Sequence, residues 1–196
     1  ELNSKVILPH DCYGGTFRLF SSLAKKGMLE VHFVNQGDDS LIKRAIQKIQ
    51  PDLIWLETPS NPLLQVVDIE QIASQAKAVN SLVAVDNTFL SPALQNPLML
   101  GADIVVHSTT KYINGHSDIV GGAAITNDEE ILQKLKYWAN NIGLTGSPFD
   151  SYLILRGLRT LGIRMEKHET NAAALVDILA NSSNVESVYY PGLTDH

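Results

Sequence analysis

Residues 82–111 read LVAVDNTFLSPALQNPLMLGADIVVHSTTK. Two short apolar runs, Leu82 to Asp86 and Asp103 to His107, each end in a polar cluster. Leu82-Val83-Ala84-Val85 and Ile104-Val105-Val106 are apolar at every position, whereas a strand with one wet face alternates apolar and polar residues. Both runs therefore read as strands covered on both faces. Similar runs recur upstream at Lys5 to Leu8, Leu29 to Val34 and Leu53 to Glu57. Between them lie helical periods, with Leu41, Ala45, Ile46 and Ile49 on one face and Ile69, Ile72, Ala73 and Ala76 on another. Strand alternating with helix is the βαβ signature. It predicts an α/β fold with a mostly parallel sheet and helices on both of its faces.

Downstream, Gly121 to Thr126 reads as a further strand, and helical patterns follow from Asp128 to Asn141 and from Phe149 to about Ser182. The second pattern predicts a long connecting helix leading to a strand at Val185 to Tyr190, with a turn at Pro191-Gly192. The expected organisation is a large domain over 1–148, then a connecting helix and the first strand of a second α/β domain over 149–196. With no initiator Met at Glu1 and an abrupt end at His196, the chain is expected to be a fragment or a processed chain, with the remainder of both domains outside it. No internal repeat is visible.

The composition narrows the partners. The net charge of −6 is spread along the chain with no Lys/Arg run, which argues against a nucleic-acid footprint. The apolar stretches stop short of a bilayer span, which argues against a membrane. The single cysteine, Cys12, has no partner for an internal disulfide and no metal-ligand spacing, so a reducing cytoplasm is the expected compartment.

An open parallel sheet binds ligands beyond the carboxyl ends of its strands. Asp86 closes one strand and opens Asp86-Asn87-Thr88, and the neighbouring strand closes with His107-Ser108-Thr109-Thr110-Lys111. A pyridoxal-phosphate (PLP) site needs these residue types: an amine for a Schiff base, a carboxylate to keep a pyridine nitrogen protonated, and hydroxyls for phosphate oxygens. Each also has an ordinary reading as a turn former, a solvated loop or a surface charge. Spacing alone leaves both readings open.

The longer string from Asp86 to Gly122, DNTFLSPALQNPLMLGADIVVHSTTKYINGHSDIVGG, resembles the lysine-containing signature of the Cys/Met-metabolism PLP enzymes, a branch of the aspartate-aminotransferase-like fold, fold type I. Asp11-Cys12-Tyr13-Gly14-Gly15-Thr16, Glu57-Thr58-Pro59-Ser60-Asn61-Pro62 and Arg156-Gly157-Leu158-Arg159-Thr160-Leu161 match at the right relative positions. The resemblance implies PLP as cofactor and Lys111 as the Schiff-base lysine, which also moves protons between substrate carbons. By the same resemblance Asp86 pairs with the pyridinium nitrogen, and Ser108 and Thr110 bind phosphate. Tyr13 stacks on the cofactor, and its phenol is a candidate acid–base group. Asn61, with Thr88 as a second candidate, lies near the cofactor's phenolic oxygen and the substrate carboxylate.

His107, His116 and Asp118 have no metal-ligand spacing of known type, and the family needs no metal. Cys12 has no evident activating histidine and reads as a packed thiol. The segments from Trp138 to Leu153 and Ser91 to Pro97 resemble most the bacterial γ-synthases of the family. These join an O-acylated homoserine, O-succinylhomoserine first among them, to cysteine. The γ-lyases, β-lyases and sulfhydrylases share the lysine chemistry and remain alternatives. Family members build active sites across a dimer face and pair dimers into tetramers, so a homodimer or homotetramer acting on small amino-acid substrates is expected. By the same resemblance, further phosphate-binding and substrate-carboxylate residues lie before Glu1 and after His196. A reading of another class, an inactive or scaffold fragment, follows if those segments are lost.

Overall fold

A computed structural model describes residues 3–193. The chain begins β1 (Ser4–Pro9), α1 (Gly14–Lys25), β2 (Leu29–Val34), α2 (Asp39–Ile49), β3 (Leu53–Glu57), α3 (Ile69–Lys77) and β4 (Leu82–Asp86). A short α4 (Ser91–Leu94) and a 3-10 turn (Pro97–Leu100) lead to β5 (Ile104–Ser108) and β6 (Gly122–Ile125). The chain then turns helical, with α5 (Glu129–Asn141), α6 (Pro148–Leu158) and α7 (Leu161–Ala180). Polar caps set several helix starts. Asp38 accepts from the amides of Ser40 and Leu41, Asp68 from Gln71, Asp128 from Ile131 and Ser147 from Asp150, each supplying an acceptor that the first turn lacks.

The six strands form one sheet in the order β2-β1-β3-β4-β5-β6. All neighbours are parallel except β6, which runs antiparallel to β5 with Ser108 opposite Gly122. Strand side chains alternate faces, and both faces are covered. Ile7, Ile54, Leu56, Val83 and Val85 pack with Ile42 and Ile46 of α2 and Ile69, Ile72 and Ala76 of α3. On the other face, Val6 and Leu8 pack with Phe20 of α1, Val31 and Trp55. Each fully buried isoleucine contributes about 2–3 kcal/mol.

The structure departs from the sequence expectation at three places. The stripe of α2 that faces the core is Ile42, Ala45, Ile46 and Ile49, while Leu41 is turned outward and is 40% exposed. Positions 42, 45, 46 and 49 follow the i, i+3, i+4, i+7 rule, and Leu41 lies one step round the helix from it. The expected continuous helix after Phe149 is two helices. Gly157 O accepts from the amide and hydroxyl of Thr160 and from Arg164 Nη2, so the α-helical ladder stops there. The expected strand at 185–190 is not formed. A strand needs a neighbour for its amides and carbonyls, and the described residues supply none beside it. The last part of that region, residues 194–196, lies outside the described residues, as do residues 1 and 2.

Candidate active site

The register places the site. Asp86, the last residue of β4, pairs with Glu57 on β3 and with Val106 on β5, so β1, β3, β4 and β5 end side by side. Asp86 Oδ1 accepts the Thr88 amide at 3.0 Å, which orients the carboxylate and leaves Oδ2 open. Thr88 Oγ1 accepts the Ser108 amide at 2.8 Å and so ties the loop after β4 to the end of β5. This bond gives Thr88 a bracing role that its residue type alone does not announce. Lys111 follows three residues later with an exposed side chain.

The loop that carries Lys111 is held through its backbone. The Lys111 amide donates to Ser108 O at 3.1 Å, and Lys111 O accepts from Gly115 at 2.8 Å. Thr110 Oγ1 donates to Gly121 O at 3.2 Å and accepts the Gly121 amide at 2.9 Å, closing the loop at its base. The Thr110 hydroxyl proton is therefore spent on Gly121, and Ser108 is the less encumbered of the two expected phosphate-binding hydroxyls. Fully buried Asn114 donates to Asp118 Oδ1 at 2.7 Å, and its carbonyl meets His116 Nδ1 at 2.7 Å. The Asn114 bond first, then the backbone amide of Asp118 itself, Arg156 and His116, hold the Asp118 carboxyl below the usual carboxylate range. Arg164 on α7 donates to Tyr112 O at 2.7 Å and Gly157 O at 2.8 Å, locking the loop onto the helices. Gly157 is needed at that contact, because a Cβ there would lie 2.2 Å from Asn114 O.

The other side of the site is built on carboxylates. Tyr13 precedes α1 and is 51% exposed, and its ring lies over Gly15, where a Cβ would come within 2.6 Å of a ring carbon. The Tyr13 amide donates to Glu57 Oε2 at 2.9 Å, and the Asn61 amide donates to Glu57 Oε1 at 2.8 Å. Buried Asp11 accepts from Ser60 Oγ, which in turn accepts the Gln65 amide at 3.0 Å. Burial pushes the Glu57 carboxyl up to about 7, with Asp86 and Asp11 adding to the rise and the Tyr13 and Asn61 amides opposing it. Glu57 was not singled out from the sequence. The available signal was an acid closing an apolar strand, the same signal that marked Asp86.

The remaining candidates are structural. Burial, then Glu57 and Asp11, push the Cys12 thiol up to about 11, which suits a packed thiol and not a nucleophile. His107 is buried in β5, and burial lowers its pKa. Among the described residues no group of three or more His, Cys, Asp or Glu is placed to hold a metal ion, and no helix is long and apolar enough to cross a membrane. A mostly apolar cavity of about 490 Å³, bounded in part by Asn87, Val105, His107 and Thr109, excludes Asp86, Lys111, Tyr13 and Asn61.

The donor set fits PLP. An exposed amine follows β5, the neighbour of the strand that ends in Asp86 with one carboxylate oxygen open, an exposed aromatic ring precedes α1, and the acids Asp11, Glu57 and Asp86, which act on one another, would favour a cationic ring nitrogen at that edge. A mostly parallel sheet with that set at its carboxyl edge defines a fold-type-I PLP enzyme. The chain belongs to the Cys/Met metabolism PLP-dependent enzyme family, which it matches over residues 1–196. It is 54% identical to the cystathionine gamma-synthase of Escherichia coli (strain K12) over 191 residues, 97% of this chain and 49% of that one. It is 49% identical to the cystathionine gamma-lyase of Dictyostelium discoideum over 98% of this chain and 49% of that one. The crystal structure of cystathionine gamma synthase from Xanthomonas oryzae pv. oryzae in complex with cystathionine superposes with a TM-score of 0.97 at 51% identity, covering all of this chain and 50% of that one. The chain spans about half the length of the curated relatives it matches.

Proposed function

We propose that the full-length protein joins an O-acylated homoserine, O-succinylhomoserine first, to the sulfur of cysteine, giving cystathionine by γ-replacement in methionine biosynthesis. The observation that carries the reading is the placement of Asp86 and Lys111 at the ends of adjacent parallel strands, with Tyr13 and Asn61 held across from them by Glu57. Bound PLP supplies an electron sink for charge that develops at the substrate Cα. Lys111 would hold the cofactor and, as a free amine, would take the proton from Cα, return it to the conjugated system on the cofactor side, and so be free to take the proton from Cβ. One mobile base between two neighbouring carbons is the economical way to expel a γ-substituent. Asp86 keeps a proton on the ring nitrogen through its open Oδ2. Ser108 binds phosphate, and Thr110 joins it once its hydroxyl leaves Gly121. Tyr13 stacks on the ring and takes a proton from the incoming amine, while Asn61 and Thr88 border the substrate carboxylate.

The similarity to a γ-synthase over 97% of the chain supports synthesis. The similarity to a γ-lyase keeps elimination as the second reading. We place 1–148 in a cofactor-binding domain and 149–196 at the start of a second one, in a cytoplasmic homodimer or homotetramer with shared sites. Product analysis of the full-length protein with O-succinylhomoserine and cysteine tests this. Cystathionine is the expected product, and 2-oxobutanoate alone sinks the synthase reading. Lys111→Ala should cut turnover by about 10³–10⁴-fold and abolish borohydride trapping of the cofactor. If the wild type traps no PLP, the scaffold reading stands instead.

A further inference from the structure

The Glu57 carboxylate is spent on two backbone amides that belong to two different loops. Oε2 takes the Tyr13 amide, 44 residues away in sequence, and Oε1 takes the Asn61 amide. Glu57 is rooted at the end of a five-residue ladder between β3 and β4, so its own backbone is fixed, and the residue is only 6% exposed. Tyr13 makes no side-chain cap bond at the start of α1. We propose that Glu57 is a positioning residue that sets the separation of Tyr13 and Asn61 across the cofactor cleft, a proposal that rests on the site roles given above to those two residues.

A purely structural brace would be poorly served by this side chain. The groups facing Glu57 are the acids Asp11, from the loop after β1, and Asp86, from β4, together with the protonated thiol of Cys12, and His10 lies 3.6 Å from Asp11. Burying a carboxylate among like charges costs stability. What the carboxylate offers in return is two acceptor oxygens at a fixed span. A glutamine presents one oxygen and would oppose an NH₂ to the second amide, and an aspartate is one methylene too short to hold both loops from the same strand position.

The test uses the full-length, PLP-loaded protein with Glu57→Gln and Glu57→Asp variants. Both variants are expected to trap cofactor on Lys111 with borohydride. Both should lose intensity in the visible circular dichroism of the bound cofactor, and both should show KM for the amino-acid substrate raised about tenfold with a smaller change in kcat. The thermal midpoint of cofactor-free Glu57→Gln should equal or exceed that of the wild type. Unchanged dichroism and KM in both variants would overturn the proposal, as would an aspartate variant that behaves as wild type. A fall in midpoint in both variants together with lost trapping would assign Glu57 to the fold and overturn it equally. Failure of the wild type itself to trap PLP on Lys111 would remove the reading beneath the proposal, and the proposal with it.

Discussion

Two sides of the candidate site lie at the carboxyl edge of the sheet and are built by different means. The lysine loop, residues 109–121, is held by backbone and side-chain bonds around Thr110, Gly121 and Asn114, and by two arginines, Arg164 on its carbonyls and Arg156 beside Asp118. The loops after β1 and β3 are held by the buried acids Asp11 and Glu57, which accept from a serine hydroxyl and two amides. In the first, the bonds that close the loop at its base, between Thr110 and Gly121, and those that Arg164 makes to Tyr112 O and Gly157 O involve no carboxyl. The second rests on a carboxyl whose proton affinity has risen to about 7. Lys111 is thus presented on a loop closed mainly by backbone and hydroxyl groups, and Tyr13 and Asn61 are set by a clamp that responds to charge.

The largest expected separation between the two is in pH-dependent stability. Glu57 is raised from 4.5 to about 7 in the folded protein, so between those values the folded state holds a proton that the unfolded state has lost. Stability from this group is therefore present at low pH, falls as pH rises through that window, and is fully lost above about 7. The expected size is about 3 kcal/mol at most. Urea unfolding of the cofactor-free full-length protein should show the stability difference between Glu57→Gln and wild type growing by that order from about pH 5 to about pH 8. A difference that stays flat with pH breaks the comparison.

Arg164→Ala attacks the other loop. It removes the donor from Tyr112 O and Gly157 O and should cost about 2 kcal/mol by thermal unfolding, with no change across the same pH range. A pH-dependent loss would show that the lysine loop is also held by titrating groups. The smallest effect concerns Cys12, which shares the acid side of the site. Iodoacetamide at about pH 8 should leave the folded thiol unmodified, because burial and the neighbouring acids hold it protonated, and should label it only after denaturation. Rapid labelling of the native protein would mean that this side of the site is open to solvent.

Much of this was legible before folding was considered. The apolar runs at 53–57 and 82–86 became strands with those bounds, because a strand covered on both faces leaves a near-continuous apolar signature, while 29–34, interrupted by Glu30 and His32, became the edge strand β2. The stripe Ile69, Ile72, Ala73 and Ala76 is buried as its period requires. Asp86 and Lys111 could be placed at adjacent strand ends from pattern alone, since the ends of neighbouring parallel strands share an edge. The sequence carried no such signal for the break at Arg159-Thr160 or for the unpaired segment at 185–190.

What the amino-acid sequence determined by itself is therefore the local and the chemical: which runs become strands, where Asp38, Asp68 and Asp128 start helices, and which residues bring an amine, a carboxylate and hydroxyls to one edge. Tertiary structure alone decided which partners those groups keep. Glu57 joins Tyr13 to Asn61, Thr88 braces Ser108, Gly121 engages Thr110, and Arg164 ends one helix while locking the loop of another element. Each of these contacts joins residues that meet only when separate chain segments are brought together, and the burial that raises a carboxyl to about 7 exists only once those segments have closed around it.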